Sequence, residues 1–250
     1  MSTTVAVSAP EPPQQQISAV GRLIGVFFSP GATFADIARK PSWLAPVVVM
    51  TVLGLIVSFA LNQRVNWHDV VMKQIDASSR ASQLSTEQKE QQADVGAKFS
   101  VPFSYGIGLL GPILAVLIVG GVMLGAYNLL GGANATFKAS MAIVSHAYFV
   151  TIISSLLFVL VLFLKPAGTV DLENPVATNL GAFMPDTAAK WLVKLATSID
   201  LFSFWVMALI AIGFAAWNPR KLKFGSAFGI ALLVWGVYVV CKVGWAAIFS

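Results

Sequence analysis

Three polar side chains, His146, Lys242 and Asn128, interrupt long apolar stretches of this 250-residue chain. An ionisable group in such a stretch is a functional candidate, because removing it from water is costly. His146 would suit a metal site or the lining of a wet transport cavity. No Asp, Glu or second His lies three or four positions away from it. We therefore prefer a structural role, in which a neutral imidazole bonds to Ser145, Tyr148 or a neighbouring helix.

Lys242 and Asn128 lie near the ends of their apolar stretches rather than in the middle. Lys242 is eight residues from the C-terminus, so its ammonium group can reach the lipid headgroups while its stem packs beside Tyr238 and Trp245. A substrate or proton site is the alternative. Asn128 is interpreted as a residue that joins helices by a hydrogen bond rather than as a ligand.

Catalytic and metal-binding patterns are absent from the sequence. A zinc site needs three or four ligands, and the only other histidine, His68, lies in a distant polar segment. The single cysteine, Cys241, allows no disulfide within the chain and no thiolate cluster. The sequence has no Gly-x-Ser-x-Gly, His-Glu-x-x-His or phosphate-loop motif, and no pair of acids within an apolar stretch. We therefore expect a protein that is not an enzyme and has no catalytic residues, metal or cofactor.

The elements that position these residues are five apolar stretches, each long enough to cross a membrane. The chain is 57% hydrophobic and 11% charged, whereas a soluble domain has about 25% charged residues. A helix needs about 20 apolar residues to cross a bilayer. The sequence therefore predicts an all-α, polytopic membrane protein with a bundle of five transmembrane helices, at about 43–61, 108–130, 139–164, 201–217 and 224–249.

The N-terminal region before the first span is predicted to contain a tail and two short helices. Residues 1–16 are rich in proline and glutamine and are interpreted as a disordered cytosolic tail. Residues 17–28 carry apolar side chains at helical spacing with Arg22 set apart, and Ser29 with Pro30 can begin a second helix that Pro41 ends. We expect both to be amphipathic helices that lie flat at the membrane surface.

Two polar loops, 62–100 and 165–199, separate the spans. Asn66 and Ser85 are suited to cap helices within the first loop, and Asp200 is suited to cap the fourth span. Including Asp200, the two loops carry eight bases and nine acids, and this near-neutrality is compatible with translocation across the membrane.

Basic residues instead concentrate in the short segments that the predicted topology places on the opposite side. These are Arg22, Arg39 and Lys40 in the N-terminal region, Lys138 in a tight turn, and Arg220, Lys221 and Lys223 between the last two spans. The positive-inside rule then gives a multi-pass protein of the cell membrane with a cytosolic N-terminus and an external C-terminus. Apart from Lys138, we interpret these bases as contacts for anionic lipids or an acidic partner. They are interleaved with no aromatic residues, so nucleic acid is not expected as a partner.

Two glycine pairs at four-residue spacing, Gly121 with Gly125 and Gly225 with Gly229, can let helix backbones approach each other. We interpret them as packing positions within the chain. The alternative is a surface for homo-oligomer formation.

Two segments carry a resemblance to a known family. They are SPGATFADIARKPSW at 29–43, which runs into the first span, and GGANATFKASMAIVSHAYF at 131–149, which opens the third. Together with the five-span plan, they resemble the YIP (Ypt/Rab-interacting protein) domain family in its bacterial branch. The Asp-Leu-Tyr-Gly-Pro signature of the eukaryotic branch is absent before the first span, and the tail is short, which argues against GTPase binding.

The resemblance implies a non-enzymatic integral membrane protein that organises membrane or recruits partners. We therefore predict a scaffold or adaptor that contacts membrane lipids and possible protein partners or copies of itself. A channel or transporter subunit for small solutes, with His146 and Asn128 lining a wet cavity, is the alternative. An intramembrane enzyme is a third hypothesis, but it lacks a nucleophile beside a base.

Overall fold

The computed structural model describes residues 16–78, 80–172, 174–185 and 187–249. The tail expected at 1–16 lies outside the described residues, except for Gln16. The described part of the chain is helical and has no β-strand, only an isolated bridge between Asn179 and Asp200. The expectation of an all-α protein is therefore confirmed.

Ten α-helices make up the described part of the chain. Helices α1 and α2 are short, α4 and α8 lie in the two polar segments, and α6 continues into α7 through a 3₁₀ turn at Phe149–Thr151. The bounds are α1 Ala19–Phe28, α2 Pro30–Arg39, α3 Leu44–Arg64, α4 Trp67–Asp76, α5 Thr86–Gly131, α6 Phe137–Tyr148, α7 Ile152–Leu164, α8 Lys190–Ser198, α9 Leu201–Trp217 and α10 Phe224–Phe249.

Four helical segments of the described chain are long and apolar enough to cross a membrane. They are α3, α5, α6 with α7, and α10. Helix α9 covers 201–217, the range predicted for the fourth span, but its 17 residues make it shorter than the others. At 1.5 Å per residue it is about 25 Å long. The fold is therefore a multi-pass helical bundle with four helical segments of full membrane-spanning length.

The long helices define two ends of the bundle. Helix α5 ends and α6 begins at one end, where α9 also ends and α10 begins. We call this end the basic face, because Lys138, Arg220, Lys221 and Lys223 lie there. The opposite end, where α3 and α7 finish and the two polar segments are attached, is called the loop face.

Helix α5 differs most from the sequence prediction. It is one continuous helix of 46 residues that contains both Pro102 and Pro112, so the predicted start of the span at residue 108 does not coincide with a helix end. Most of the first polar segment is helix, formed by α4 and the first part of α5, as the predicted caps indicated. The caps predicted at Asn66 and Ser85 are confirmed, since the side chains accept hydrogen bonds from His68 N and Gln88 N.

Helices α3 and α5 cross at two glycines. A Cβ on Gly54 would lie 2.5 Å from the Gly108 carbonyl oxygen, so only glycine allows this approach. Next to the crossing, Ser58 Oγ donates to the Ser104 carbonyl oxygen at 2.7 Å and Asn62 Nδ2 donates to Ser104 Oγ at 2.9 Å. Small residues with interhelical hydrogen bonds are the usual basis of helix association where lipid removes the hydrophobic driving force.

The glycine pairs predicted from the sequence to pack helices together do not lie at helix contacts. A Cβ on Gly121, Gly125, Gly225 or Gly229 would meet no other part of the described chain within 4 Å. The interpretation of these pairs as packing positions within the chain is therefore wrong. The packing positions are Gly54 and Gly108, which are far apart in sequence.

A buried tyrosine joins helices α5, α9 and α10. The Tyr127 ring stacks on Phe214 with ring centroids 3.8 Å apart, and Tyr127 Oη donates to the Ala227 carbonyl oxygen at 2.7 Å. Both rings are fully buried. This contact fixes α9 between its neighbours near the basic face.

We predict that Gly54→Leu destabilises the bundle by about 1–3 kcal/mol or more, because the added side chain overlaps the α5 backbone. Thermal unfolding of the purified protein in detergent measures this loss. The matched control is Gly121→Leu, whose side chain enters open space. Equal stability of the two variants would contradict the α3–α5 crossing.

Candidate functional site

The hairpin formed by α1 and α2 is built around a buried ion pair. Arg22 Nε donates to Asp36 Oδ2 at 2.8 Å, and each side chain is only 4% exposed. Arg22 Nη1 also donates to the Lys40 carbonyl oxygen at 3.0 Å and to Ser42 Oγ at 2.8 Å. A buried charge is tolerated when it is paired and its remaining donors are bonded. The network therefore holds α1, α2 and the segment leading into α3 together.

The hairpin is tightly packed as well as ion-paired. A Cβ on Gly25 would overlap the Thr33 hydroxyl group, so glycine is needed where the two short helices meet. The Thr33 side chain in turn donates to the Ser29 carbonyl oxygen at 2.9 Å, close to the turn between the helices. Pro30 begins α2 at a position where its missing N–H is not needed.

The tip of the hairpin reaches about halfway along the long helices. The Phe27 ring lies 5.9 Å from the rings of both Phe149 and Trp205. Phe149 is twelve residues from the start of α6, and Trp205 is twelve residues from the end of α9. At 1.5 Å per residue, both contacts place Phe27 about 18 Å from the basic face.

The base of the hairpin lies closer to the basic face. A Cβ on Gly213 would lie 3.0 Å from the Phe34 ring, and Gly213 is four residues from the end of α9. Phe34 is therefore about 6 Å from the basic face. Helices α1 and α2 enter the bundle from this face and return to it, rather than lying flat across it.

This arrangement corrects the sequence interpretation of the first two helices. Arg22 and Asp36 face inward together with apolar side chains such as Phe34, and a second apolar row on α1 faces outward: Val20, Ile24 and Phe28 are 65%, 55% and 82% exposed. The ion pair allows the charged Arg22 side chain to face inward, because Asp36 neutralises it inside the protein. The three residues are spaced four apart and so form one stripe along the helix.

Arg22 is consequently no lipid or partner contact in this structure, since it is 3% exposed. That assignment is corrected. The sequence signal that was missed is Asp36, an acid on the second of two short helices joined at Ser29 and Pro30. A tight turn between two short helices places residues at similar distances from the turn opposite each other.

The other five basic candidates are exposed at the basic face or in the segment before α3. They are Arg39, Lys40, Arg220, Lys221 and Lys223. Arg39 also lies 3.5 Å from Asp36, and Lys40 Nζ donates to Gln16 Oε1 at 3.3 Å. Between Lys221 and Lys223, the buried Leu222 packs into the core and anchors the connection.

Asn128 holds the tight turn at the basic face rather than joining two helices. Its Nδ2 donates to the Ala135 carbonyl oxygen at 3.0 Å, and its Oδ1 accepts from Ala135 N at 2.8 Å. Asn218 Nδ2 donates to the neighbouring Ala133 carbonyl oxygen at 3.1 Å. Two asparagines thus tie the connections of the basic face to each other.

His146 is buried in α6, where it is 1% exposed. Its Nδ1 lies 2.8 Å from the Ala142 carbonyl oxygen, and because a carbonyl only accepts, Nδ1 carries the proton in this contact. Among the described residues, no group of three or more His, Cys, Asp or Glu side chains could hold a metal ion. Neither His146 nor Asn128 lines the cavity of about 660 Å³ beside α3.

Lys242 lies near the loop face, 18 residues after the start of α10. Its Nζ donates to Ser198 Oγ at 2.9 Å, at the end of α8. The lysine thus joins α10 to the second polar segment. It lies near neither His146 nor the exposed bases of the basic face.

These features define an integral membrane protein of the all-helical, multi-pass class. A family model, the Yip1 domain, matches residues 24–246, which is nearly the whole chain. The chain belongs to the Yip1 domain family. No curated protein and no solved structure matches it.

We predict that Arg22→Ala destabilises the protein by about 3–5 kcal/mol, because it leaves the Asp36 carboxylate buried without its partner. Thermal unfolding in detergent provides the measurement. The double variant Arg22→Met with Asp36→Leu removes both charges and should lose less stability than Arg22→Ala. A double variant that is as unstable as the sum of its single variants would contradict the ion pair.

Proposed function

We propose that this Yip1-family protein is a non-catalytic scaffold of the cell membrane that organises the cytosolic leaflet. The single observation that carries the proposal is the α1–α2 hairpin, which enters the bundle from the basic face and presents an apolar row outward. The channel alternative would place His146 beside a wet cavity, whereas this side chain is packed in the core.

The proposed topology has five crossings, with α9 as the fourth. Helix α7 ends at the loop face and α10 begins at the basic face, so the chain must return between them, and α9 is the helix that does so. Its length of about 25 Å falls short of the usual hydrocarbon thickness of about 30 Å. A short helix can be accommodated by local thinning of the bilayer or by its flanking residues.

The proposed orientation places the basic face in the cytosol, following the positive-inside rule. The N-terminus is then cytosolic and the C-terminus external. Among Yip1-domain proteins we assign the chain to the bacterial branch, on the resemblance of residues 29–43 and 131–149.

In this orientation the hairpin occupies only the cytosolic leaflet. A tip about 18 Å from the basic face lies near the middle of a bilayer with a core of about 30 Å. The row of Val20, Ile24 and Phe28 then contacts acyl chains. Material inserted into one leaflet expands that leaflet relative to the other, which favours curvature towards the expanded side.

The exposed bases at the basic face supply the second part of the proposed function. Each Lys or Arg near an anionic surface contributes about 1 kcal/mol of attraction. The three bases of the α9–α10 connection point away from the anchored Leu222 and are exposed. They would gather anionic lipids or an acidic partner around the hairpin.

We expect reconstituted protein to shift liposomes of defined lipid composition to smaller radii, measured by electron cryomicroscopy. Val20→Ser with Ile24→Ser and Phe28→Ser should lose most of the shift, because the hairpin no longer favours acyl chains. The matched control changes an equally exposed row on α7, Leu156, Leu160 and Phe163, to serine. Equal radii for both triple variants would contradict a specific role of the hairpin.

We also expect that changing Arg220, Lys221 and Lys223 to glutamine reduces the preference of the protein for anionic lipid. Electron spin resonance with spin-labelled phosphatidylglycerol and phosphatidylcholine measures the motionally restricted fraction of each lipid. The ratio of the two fractions should fall in the variant, and the fall should vanish at high salt because charge screening already weakens the attraction. An unchanged ratio at low salt would rule out the lipid contact.

A further inference from the structure

A cavity of about 660 Å³ lies between α3, α4, α5 and the third long helical segment. Its volume is within the range of about 300–1,000 Å³ that is typical of small-molecule sites. The walls are mostly apolar, with Met50, Leu53 and Val57 from α3 and Ile107 from α5. The cavity thus lies alongside α3 on both sides of its crossing with α5 at Gly54.

The cavity results from the way in which α3 and α5 pack. The two helices touch at Gly54 and Gly108, and beyond this crossing Gly111, Pro112 and Ala115 leave space that larger side chains would fill. A Cβ on Gly111 would meet only Ile107 of its own helix, at 3.6 Å. The volume is therefore open at this position and is not closed by a neighbouring helix.

Helix α4 covers the end of the cavity at the loop face. Both of its ends are tied to α5, since His68 Nε2 lies 3.1 Å from Glu90 Oε2 and Lys89 Nζ donates to Asp76 Oδ1 at 2.8 Å. Trp67 also donates through Nε1 to Asn62 Oδ1 at 2.7 Å. The cover is thus held in place at several points.

Polarity changes along the cavity. The deep part near Met50 and Val116 is mostly apolar, with Tyr148 and Thr151 as its polar side chains, whereas Gln74, Ser100 and Ser104 line the part near α4. This order, apolar in depth and polar at the loop face, matches the order of groups in a membrane lipid, whose ester groups lie at the interface and whose chains lie deeper.

The cavity is continuous with the outer surface of the bundle. A shallow groove over Gly96, Phe99 and Pro102 shares Ser100 and Phe103 with it. Phe99 and Phe103 are 69% and 70% exposed, on a surface that faces lipid in a membrane. A ligand can therefore enter from the bilayer without crossing the protein.

We infer that the cavity is a lipid site, which holds one acyl chain of a glycerophospholipid from the leaflet at the loop face, with the ester region of the lipid beside Gln74 and Ser100. The bilayer at that depth supplies acyl chains, and the open groove lets them in. This site does not include the hairpin, whose Phe27 packs into the apolar cluster that borders the deep end of the cavity at Met50 and Val116.

The test is photocrosslinking in reconstituted bilayers with phosphatidylcholine that carries a diazirine in one acyl chain. In the wild-type protein, mass spectrometry should find crosslinked peptides from 50–61 and 100–116. Gly111→Leu fills the cavity and should lower this yield about tenfold, a difference of about 1.4 kcal/mol. Gly121→Leu, on the same helix but facing open space, should keep the wild-type yield.

Ala115→Phe provides a second way to fill the cavity, should Gly111→Leu fold poorly, and the unfolding temperature identifies a folded variant. Equal yields in a folded cavity-filling variant and in Gly121→Leu would overturn the inference. Crosslinks confined to lipid-facing rows such as Leu156 and Leu160 would do the same. Crosslinks from one chain to another at these peptides would show that a second copy, rather than a lipid, occupies the space.

Discussion

The buried pair of Arg22 and Asp36 is the constraint on which the described fold of the N-terminal region depends. A single charge at this depth would be very costly, but the paired guanidinium and carboxylate groups, with further bonds to Lys40 and Ser42, can remain inside the bundle. Because Arg22 and Asp36 are hydrogen-bonded inside the bundle, the row of Val20, Ile24 and Phe28 on α1 can face outward. The hairpin is therefore suited to contact with acyl chains and can enter the bundle instead of lying across its end.

The helices share an apolar core that includes Phe34, Ile143 and Phe214, and close contacts at a few positions fix how they pack. The Gly54–Gly108 crossing joins α3 to α5, and Tyr127 joins α5 to α9 and α10. Ser140 Oγ adds a hydrogen bond of 2.6 Å to the Gly120 carbonyl oxygen. Helices that touch at one point leave space on either side of it, and the cavity beside α3 is such a space. The deep end of the cavity, at Met50 and Val116, borders the cluster that holds Phe27 of the hairpin, so the cavity and the hairpin tip meet inside the bundle.

Much of the helical framework follows from local sequence. The apolar runs predict α9 and α10 with the observed bounds, and Asp200 caps α9 as expected by accepting from Ser203 N at 3.0 Å. Contacts between distant residues were not predictable in this way. Arg22 and Asp36 are fourteen positions apart, and Gly54 and Gly108 are on different helices, so spacing along one helix reveals neither. The continuity of α5 through Pro102 and Pro112 was missed for a related reason, since neighbouring helices and side chains can satisfy the backbone groups that a proline leaves free.

The depth of the hairpin tip in a bilayer is the most direct test of this account. A spin label at Phe28→Cys, in a Cys241→Ser background, can be compared with labels at Val52→Cys in the middle of α3 and at Arg39→Cys at the base of the hairpin. The account predicts that the label at position 28 is accessible to oxygen and protected from a polar nickel reagent, as at position 52. Accessibility to nickel equal to that at position 39 would contradict it, because the tip would then lie at the membrane surface.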